Sequence, residues 1–244
     1  MPDIEGAGGA PVLVILCRVA GSDLEHALMR GLPHLTPRMQ GEILRYRRAE
    51  DRLARLVVRL ALRHALLRLG FAAESDLNAW TRTPTGRPHL AGSAADFSLS
   101  HAGDLVAVAV GTGYRLGVDV EWFRPVEREA FRRFLLPREV DGDDPDCRRL
   151  LRAWSLREAV LKADGTGLLA SEADVRRVGE GCGPGGRRWW TDTLDVEGGC
   201  LTLAADRRPD RVVREDVGLS DLMGTAPIGG WSGPASAPER EWTV

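Results

Sequence analysis

Two acidic side chains stand two residues apart in a segment with the pattern of a β-strand. The segment Gly117–Glu121 has the sequence GVDVE. Residues two apart on a strand face the same side, so the carboxylates of Asp119 and Glu121 are expected to converge. Neighbouring carboxylates repel each other unless a proton or a cation lies between them. The pair is therefore a candidate cation site, and the alternative is a half-exposed strand with two acids on its polar face.

A third acid and the only lysine of the chain follow on a predicted helix. The segment Trp154–Lys162 reads WSLREAVLK, and Glu158 and Lys162 are neighbours on one helical face at i and i+4. Lysine and arginine together number 33, so a lone lysine at this place favours a role for a compact, rotatable ammonium group. Glu158 could join the two strand carboxylates as an oxygen ligand for Mg²⁺, with Lys162 on a phosphate. The alternative is an ordinary surface salt bridge in an arginine-rich sequence.

A serine and a histidine lie where another predicted strand runs into a glycine-containing turn. They are Ser100 and His101, in the segment FSLSHAG. Adjacent strand residues face opposite sides, and the chain has no G-x-S-x-G turn, so a nucleophilic serine–histidine pair is not favoured. Hydrogen bonding to a phosphate or a ribose is the better interpretation.

A stripe of arginines runs along the first long helical region. Its members recur at three- and four-residue spacing and are Arg45, Arg47, Arg48, Arg52, Arg55, Arg59 and Arg63. Such a stripe is either a solvated face or an anion site for a phosphate remote from the reacting centre.

Composition narrows the classes of function. The 244 residues are 43% hydrophobic and 28% charged, as in a soluble globular protein, and the formal net charge of −2 argues against a general nucleic-acid binder. No apolar run reaches the length of a membrane span, and the short apolar stretch Val12–Val19 lacks the basic region of a signal peptide. The four cysteines are scattered without metal-site spacing, which favours reduced thiols in the cytoplasm.

Hydrophobic periodicity predicts two similar halves, each with strands and one long helix. In the first half it predicts strands at Val12–Ala20, Leu77–Thr83, Asp96–His101 and Leu105–Gly111, and a helical region from an N-cap at Thr36 to a stop at Gly70. In the second half it predicts a strand at Leu116–Trp122, helices at Val126–Leu136 and Arg148–Ala163, and a hairpin of Arg187–Val196 with Cys200–Ala205. The expected fold is α+β, with lobes at 1–113 and 114–220 and a flexible tail at 221–244, anchored by Trp231 or Trp242.

Four motifs in a fixed order resemble the phosphopantetheinyl transferase superfamily, and most closely its Sfp-like branch. They are GRP at Gly86–Pro88, FSLSH at Phe97–His101, GVDVE at Gly117–Glu121, and WSLREAVLK at Trp154–Lys162 followed by Gly165–Leu168. The resemblance runs from about Arg45 to Leu168. It implies one chain of two pseudo-symmetric lobes, the 4'-phosphopantetheinyl transferase fold, each lobe a small antiparallel sheet packed on a long helix.

The resemblance also implies roles for individual residues. Asp119, Glu121 and Glu158 correspond to ligands of Mg²⁺, for which Mn²⁺ is the alternative metal, and Lys162 corresponds to the lysine at the diphosphate. The positions that correspond to contacts of coenzyme A are Ser100 and His101 at its phosphates, Arg87 near its nucleotide, and Arg47, Arg48 and Arg52 at its 3'-phosphate. Glu139 falls near an acidic position of the family.

The implied reaction moves the 4'-phosphopantetheine arm of coenzyme A to a serine of an apo acyl- or peptidyl-carrier protein and releases 3',5'-ADP. The general base is either Glu158 or a metal-associated water. A cytoplasmic monomer that binds neither nucleic acid nor membrane is expected. The alternatives are a metal-dependent hydrolase of nucleotide pyrophosphates and a coenzyme A-binding module without turnover.

Overall fold

The structure is a computed structural model, and it describes residues 11–19, 21, 23–180, 182–224 and 240–241. The helices are α1 (Leu24–Gly31), α2 (Pro37–Leu44), α3 (Ala49–Arg68), α4 (Ala73–Asn78), α5 (Pro137–Val140), α6 (Arg148–Asp164), α7 (Glu172–Val178) and α8 (Leu219–Gly224). The strands are β1 (Val12–Arg18), β2 (Trp80–Arg82), β3 (Pro88–Leu90), β4 (Ala95–Ala102), β5 (Leu105–Thr112), β6 (Leu116–Trp122), β7 (Trp190–Val196), β8 (Gly199–Ala205), β9 (Val212–Val217) and β10 (Arg240–Glu241).

The strands form a five-stranded sheet, a three-stranded sheet and a two-stranded hairpin. The large sheet has the order β10-β9-β1-β5-β4, and the smaller sheet has the order β6-β8-β7. All pairs in both sheets are antiparallel except β1 with β9, which is parallel. The hairpin joins β2 to β3.

The two sheets and two long helices form four layers. Alternate residues of β1 and β5 pack on α3, and the remaining residues pack on β6 and β8 of the smaller sheet. The opposite face of the smaller sheet packs on α6, around Ala159 and Ala163. Because β1 and β5 are covered on both faces, they are apolar at almost every position instead of alternating. The α+β class is confirmed, with one long helix on each sheet.

The chain returns to the first sheet after it completes the second. Strand β9 follows β8 in the chain and pairs with β1, and Leu222 and Met223 of α8 are buried in the core beneath α3. The predicted tail therefore begins with a packed helix. Its anchors Trp231 and Trp242 lie outside the described residues, and the lobe boundary at residue 113 stays a prediction.

The predicted helical region from Thr36 to Gly70 consists of two helices with a break between them. Thr36 caps α2 as expected, since its Oγ1 accepts from the N–H of Met39 at 3.3 Å, but the chain leaves the helix at Arg45–Arg48. Tyr46 lies under the Arg55 guanidinium, 4.5 Å from ring centroid to Cζ, and its carbonyl accepts from Arg52 Nε at 2.6 Å. These contacts with α3 stabilise the break.

Two other predicted elements are partly wrong. The stretch from Leu77 begins as the end of helix α4, and strand β2 starts only at Trp80. The predicted helix Val126–Leu136 contains a single 3-10 turn at Arg128–Phe131. The remaining predicted strands and the helix that became α6 agree with the structure to within about three residues at each end, an error typical of element boundaries.

A buried ion cluster joins β9 to α3. Glu215 is 4% exposed; its Oε1 accepts from Arg68 Nε and Nη2 at 2.9 and 2.6 Å, and its Oε2 lies 3.3 Å from His64 Nε2. Burial by itself raises the pKa of Glu215, but the hydrogen bonds from His64 and Arg68 outweigh it and hold the pKa below its usual value.

We expect Glu215→Gln to lower the free energy of unfolding by about 2 kcal/mol at pH 7, because Arg68 and His64 lose their carboxylate partner. A lowered pKa gives stability that is present above the unfolded value and lost as pH falls through the folded one. The gap between wild type and variant, measured by urea unfolding, should therefore hold from pH 7 to about pH 4 and narrow below it. Exposed Glu180→Gln is the control, and a gap independent of pH would contradict the prediction.

Strand β6 approaches helix α6 closely at Gly117. A Cβ built on Gly117 would lie 1.8 Å from the Ala159 carbonyl oxygen and 2.7 Å from the Ala163 nitrogen. These are backbone atoms inside a helix, which cannot move aside singly. A side chain at Gly117 must therefore separate the strand from the helix.

Gly117→Ala should consequently lower the free energy of unfolding by about 3 kcal/mol, the upper part of the range for overpacking. Gly41→Ala is the matched control, since nothing lies within 4 Å of its added Cβ on α2 and alanine favours a helix. Urea unfolding of both variants tests this, and equal midpoints for the two would show that the β6–α6 contact tolerates a methyl group.

Candidate active site

The close β6–α6 contact brings together the acids predicted from the sequence. Asp119 and Glu121 alternate with the core residues Val118 and Val120, so their side chains leave the sheet on the side away from the core between the sheets. Helix α6 packs against this side and adds Glu158. All three acids line one cavity of about 420 Å³.

Lys162 is held by three acceptors on β4 and β6. Its Nζ donates to Asp119 Oδ1 at 2.7 Å, to Ser100 Oγ at 2.9 Å and to the Val118 carbonyl at 3.2 Å. The Asp119 side chain is 6% exposed and that of Lys162 is 28% exposed. The ammonium group is thus directed by the protein and still borders the cavity.

Ser100 uses all the hydrogen-bonding capacity of its hydroxyl within the protein. It donates to Asp119 Oδ1 at 2.7 Å and accepts from Lys162 Nζ and from the Val120 N–H, the latter at 3.3 Å. Its neighbour on the same side of β4, Ser98, accepts from the Val118 N–H at 2.9 Å. Ser100 therefore fixes the lysine and the aspartate as well as lining the cavity.

The environment of Glu121 and Glu158 favours a proton or a cation. Burial raises the pKa of both carboxyl groups, and the charge of Asp119 raises both further. Lys162 opposes the shift at both, and Arg124, 3.1 Å from Glu121 Oε2, opposes it at Glu121. The cavity wall thus holds carboxylates that have lost much of their hydration without gaining full compensation.

His101 stands at the end of β4 and lines the same cavity. Partial desolvation lowers the pKa of its imidazole, and the charges of Arg55 and Lys162 lower it further. The neutral ring is therefore favoured until an anion enters the cavity.

The arginines in the cavity lining are not those that the resemblance places at the 3'-phosphate. Arg55, Arg59 and Arg82 line it, whereas Arg47, Arg48 and Arg52 are absent from its described lining. Arg47 and Arg48 lie in the break before α3, so they are not part of the helical stripe. Other arginines of the stripe share the i, i+4 spacing of Arg55 and Arg59, so spacing alone does not identify the lining pair from sequence.

Arg59 is the most deeply buried cation of this side. It is 4% exposed, its Nη2 lies 2.9 Å from Glu42 Oε2, and its Cζ lies 5.4 Å from the centroid of the Trp80 ring. In the described part of the chain its Nε has no hydrogen-bond partner. An acceptor from a ligand would satisfy that donor.

Glu139 and Arg87, which were named from the resemblance, bind other protein groups and do not line the main cavity. Glu139 forms a bidentate pair with Arg157, at 2.7 and 3.3 Å, which ties α5 to α6. Arg87 binds Asp96 and backbone carbonyls, and it borders a second cavity of about 220 Å³ together with Leu99 and Leu161.

The donor set fits a hard cation, although no complete ligand group is preformed. Among the residues that the structure describes, no three or more histidine, cysteine, aspartate or glutamate side chains are grouped closely enough to hold a metal ion. Asp119 Oδ2, however, is buried and has no hydrogen-bond partner among the described residues, whereas Oδ1 accepts hydrogen bonds from Ser100 and Lys162. Carboxylate oxygens are the ligands that Mg²⁺ prefers, and an ion at Oδ2 would relieve this orphaned atom.

Comparison with known proteins gives the same family for both halves of the chain. A sequence profile described as the 4'-phosphopantetheinyl transferase superfamily matches residues 115–181. A second profile, described as the N-terminal part of a 4'-phosphopantetheinyl transferase, matches residues 23–112. The two matches do not overlap and together cover more than half of the chain.

Several curated proteins are similar over part of their length. A putative 4'-phosphopantetheinyl transferase of Haemophilus influenzae is 28% identical over 54% of this chain and 61% of its own. The 4'-phosphopantetheinyl transferase pptA of Paxillus involutus is 30% identical over 60% of this chain and 64% of its own. The 4'-phosphopantetheinyl transferase HetI of a Nostoc species is 35% identical over 31% of this chain and 35% of its own. The chain thus matches less than two thirds of the length of each of these relatives.

No helix in the described ranges is long and apolar enough to cross a membrane.

The four-layer α+β fold, the cavity lined by acids and a lysine, and the two profile matches agree with one another. The chain belongs to the 4'-phosphopantetheinyl transferase superfamily.

Proposed function

We propose that this protein transfers the 4'-phosphopantetheine group of coenzyme A to a serine of an apo acyl- or peptidyl-carrier protein in a Mg²⁺-dependent reaction. The observation that carries the proposal is that one cavity is lined by both kinds of charged group. Asp119, Glu121, Glu158 and Lys162 come from β6 and α6, and the arginines come from α3 and β2. A diphosphate at the acids and lysine, with a further phosphate at the arginines, matches the charges of coenzyme A.

Asp119, Glu121 and Glu158 are the residues that would hold the metal. Asp119 offers its Oδ2, which has no hydrogen-bond partner among the described residues, and burial and the charge of Asp119 raise the pKa of the other two carboxyl groups. When bound, Mg²⁺ supplies positive charge that stabilises the negative charge on a diphosphate during transfer.

Lys162 is the fixed cation at the reacting phosphate. Its ammonium borders the cavity while Asp119, Ser100 and a carbonyl set its direction, so little reorganisation is required when a phosphate arrives. One of its three N–H groups can donate to a phosphate oxygen instead of to a protein acceptor.

Glu158 is the proposed proton acceptor. Its raised pKa brings a carboxylate closer to the pH of the reaction, where a general base works best. The serine hydroxyl of the carrier protein gives its proton to Glu158, and its oxygen bonds to the phosphorus that bears the pantetheine. The bond from that phosphorus to 3',5'-ADP then breaks.

The arginines that line the cavity would bind the 3'-phosphate. Arg59 offers a buried Nε that has no acceptor among the described residues, and Arg55 and His101 line the same cavity. We therefore propose Arg55, Arg59 and Arg82 for this role in place of the expected Arg47, Arg48 and Arg52. A phosphate there would also reverse the shift of the His101 pKa, since a neighbouring anion favours the imidazolium.

The wider setting remains part of the proposal. A monomer in the cytoplasm is consistent with two lobes that already enclose one cavity and with the scattered free thiols. The Sfp-like branch is the proposed place within the superfamily.

Intact-mass measurement of an apo carrier protein, incubated with the chain, coenzyme A and Mg²⁺, tests the transfer. We expect the carrier mass to rise by one phosphopantetheine, and we expect the rise to be lost with EDTA and in Glu158→Ala but kept in the exposed control Glu180→Ala. Free 4'-phosphopantetheine formed without a carrier would indicate a hydrolase. Coenzyme A binding without transfer to fatty-acid, polyketide or peptide carriers would indicate a binding module.

Replacement of Lys162 by arginine separates geometry from charge. The rigid guanidinium fork cannot reproduce three converging bonds to Asp119, Ser100 and Val118, so we expect kcat to fall by roughly 100-fold although the charge is kept. Steady-state kinetics measure this, with unfolding in urea as the check on folding. Kinetics like those of the wild type would remove the argument from the single lysine.

A further inference from the structure

Two guanidinium groups donate hydrogen bonds to the last turn of α6. The final carbonyls of a helix have no partner within the helix. Here Arg87 Nε donates to the Lys162 carbonyl at 2.9 Å, while Arg115 donates to the carbonyls of Ala163 and Asp164 at 3.2 and 2.8 Å. Three successive carbonyls are thus satisfied by arginines that lie outside the helix.

Gly165 makes room for both arginines. It ends the helix in the left-handed conformation, at φ 85°, which favours glycine. A Cβ at this position would lie 3.1 Å from Arg87 Cδ and 3.4 Å from Arg115 Nη2. The glycine after the lysine-bearing helix therefore permits the close approach of the two side chains as well as the turn.

The rest of the Arg87 guanidinium is bound to β4 and β6. Its Nη1 and Nη2 donate to the two carboxylate oxygens of Asp96 at 2.9 and 2.7 Å, and Nη2 also donates to the Leu116 carbonyl at 3.1 Å. Asp96 Oδ2 accepts the Leu116 N–H at 2.7 Å. The Arg87 side chain is 11% exposed, and its three nitrogens are all engaged by the protein.

Both ends of Lys162 are consequently held to the same two strands. The backbone carbonyl is bound through Arg87 to Asp96 on β4 and Leu116 on β6, and the ammonium is bound to Ser100 on β4 and to Asp119 on β6. A long, flexible side chain gains a defined direction only if its backbone and its tip are both fixed in one frame.

We infer that Arg87, paired with Asp96, is a positioning residue that sets the place of Lys162, and that it does not bind the nucleotide as the family resemblance implies. The inference rests on the proposed transfer, because turnover is one of its measures. Its rival is a ligand contact from the second cavity, which Arg87 borders.

The division of an effect between kcat and KM distinguishes the two roles. For Arg87→Gln we expect kcat to fall by roughly 10- to 100-fold, as expected for a misplaced catalytic group, while KM and the calorimetric Kd for coenzyme A change by less than about threefold. Asp96→Asn should act in the same direction, and the double variant should lose little more than Arg87→Gln alone. Exposed Arg208→Gln is the matched control. A raised Kd with unchanged kcat would overturn the inference and leave the transfer proposal standing.

The single lysine allows a measurement that is independent of activity. Protein labelled with ¹⁵N-lysine gives one side-chain ammonium signal and one lysine amide signal, both from Lys162. We expect the ammonium signal of wild type to be protected from exchange by its three acceptors, and to shift and broaden in Arg87→Gln. An ammonium signal identical in wild type and Arg87→Gln would refute the positioning role, even if the wild type failed to transfer phosphopantetheine.

Arg115→Gln gives a second route if Arg87→Gln does not fold by urea unfolding. It removes two caps of the same turn and leaves the Arg87–Asp96 pair intact. We expect a smaller shift of the Lys162 ammonium signal and a fall of kcat of a few-fold with unchanged Kd. No change in either quantity would show that the end of α6 does not position the lysine.

Discussion

Among the described residues, side chains of β4 and not a further strand bind the outer edge of β6, and this row of contacts, the β4–β6 seam, holds the two sheets in register at the site. Asp96, Ser98 and Ser100 alternate along β4 and accept the N–H groups of every second residue of β6. An unpaired strand edge is otherwise open to water or to another chain. Because the first side chain of the seam also binds Arg87 and the last binds Asp119 and Lys162, the edge, the helix end and the reacting groups form one connected network.

The charged groups that line the cavity are only partly paired with opposite charges. Lys162 compensates one oxygen of Asp119 and leaves the other, while Glu121 and Glu158 have lost hydration without an equivalent gain. Desolvated carboxylates are costly, and such a site lowers its free energy when a cation binds. The same reasoning applies with opposite sign at the buried Arg59. Carboxylates and an arginine with incomplete partners thus line the same cavity.

The sequence predicts those parts of the fold and the site that the spacing of neighbouring residues determines. The alternation of Leu116–Trp122 fixes β6 with the bounds that the structure has, and the i, i+4 relation of Glu158 and Lys162 places both on the cavity side of α6. The break at Tyr46 and the direction of Arg87 could not be predicted, because the partners that decide them lie on other elements. The short GRP motif shows a turn and a cation, but it does not show which carbonyls the cation will meet.

The parallel pairing of β9 with β1 has a consequence for synthesis on the ribosome. Strand β1 acquires one neighbour, β5, early in synthesis, and it acquires the other, β9, only after the second sheet has been made. Until then one edge of an almost wholly apolar strand remains without a partner, a state that invites association between nascent chains. Contacts between such distant parts of a chain also slow folding. The newly made protein therefore passes through a period in which a chaperone that covers β1 would protect it.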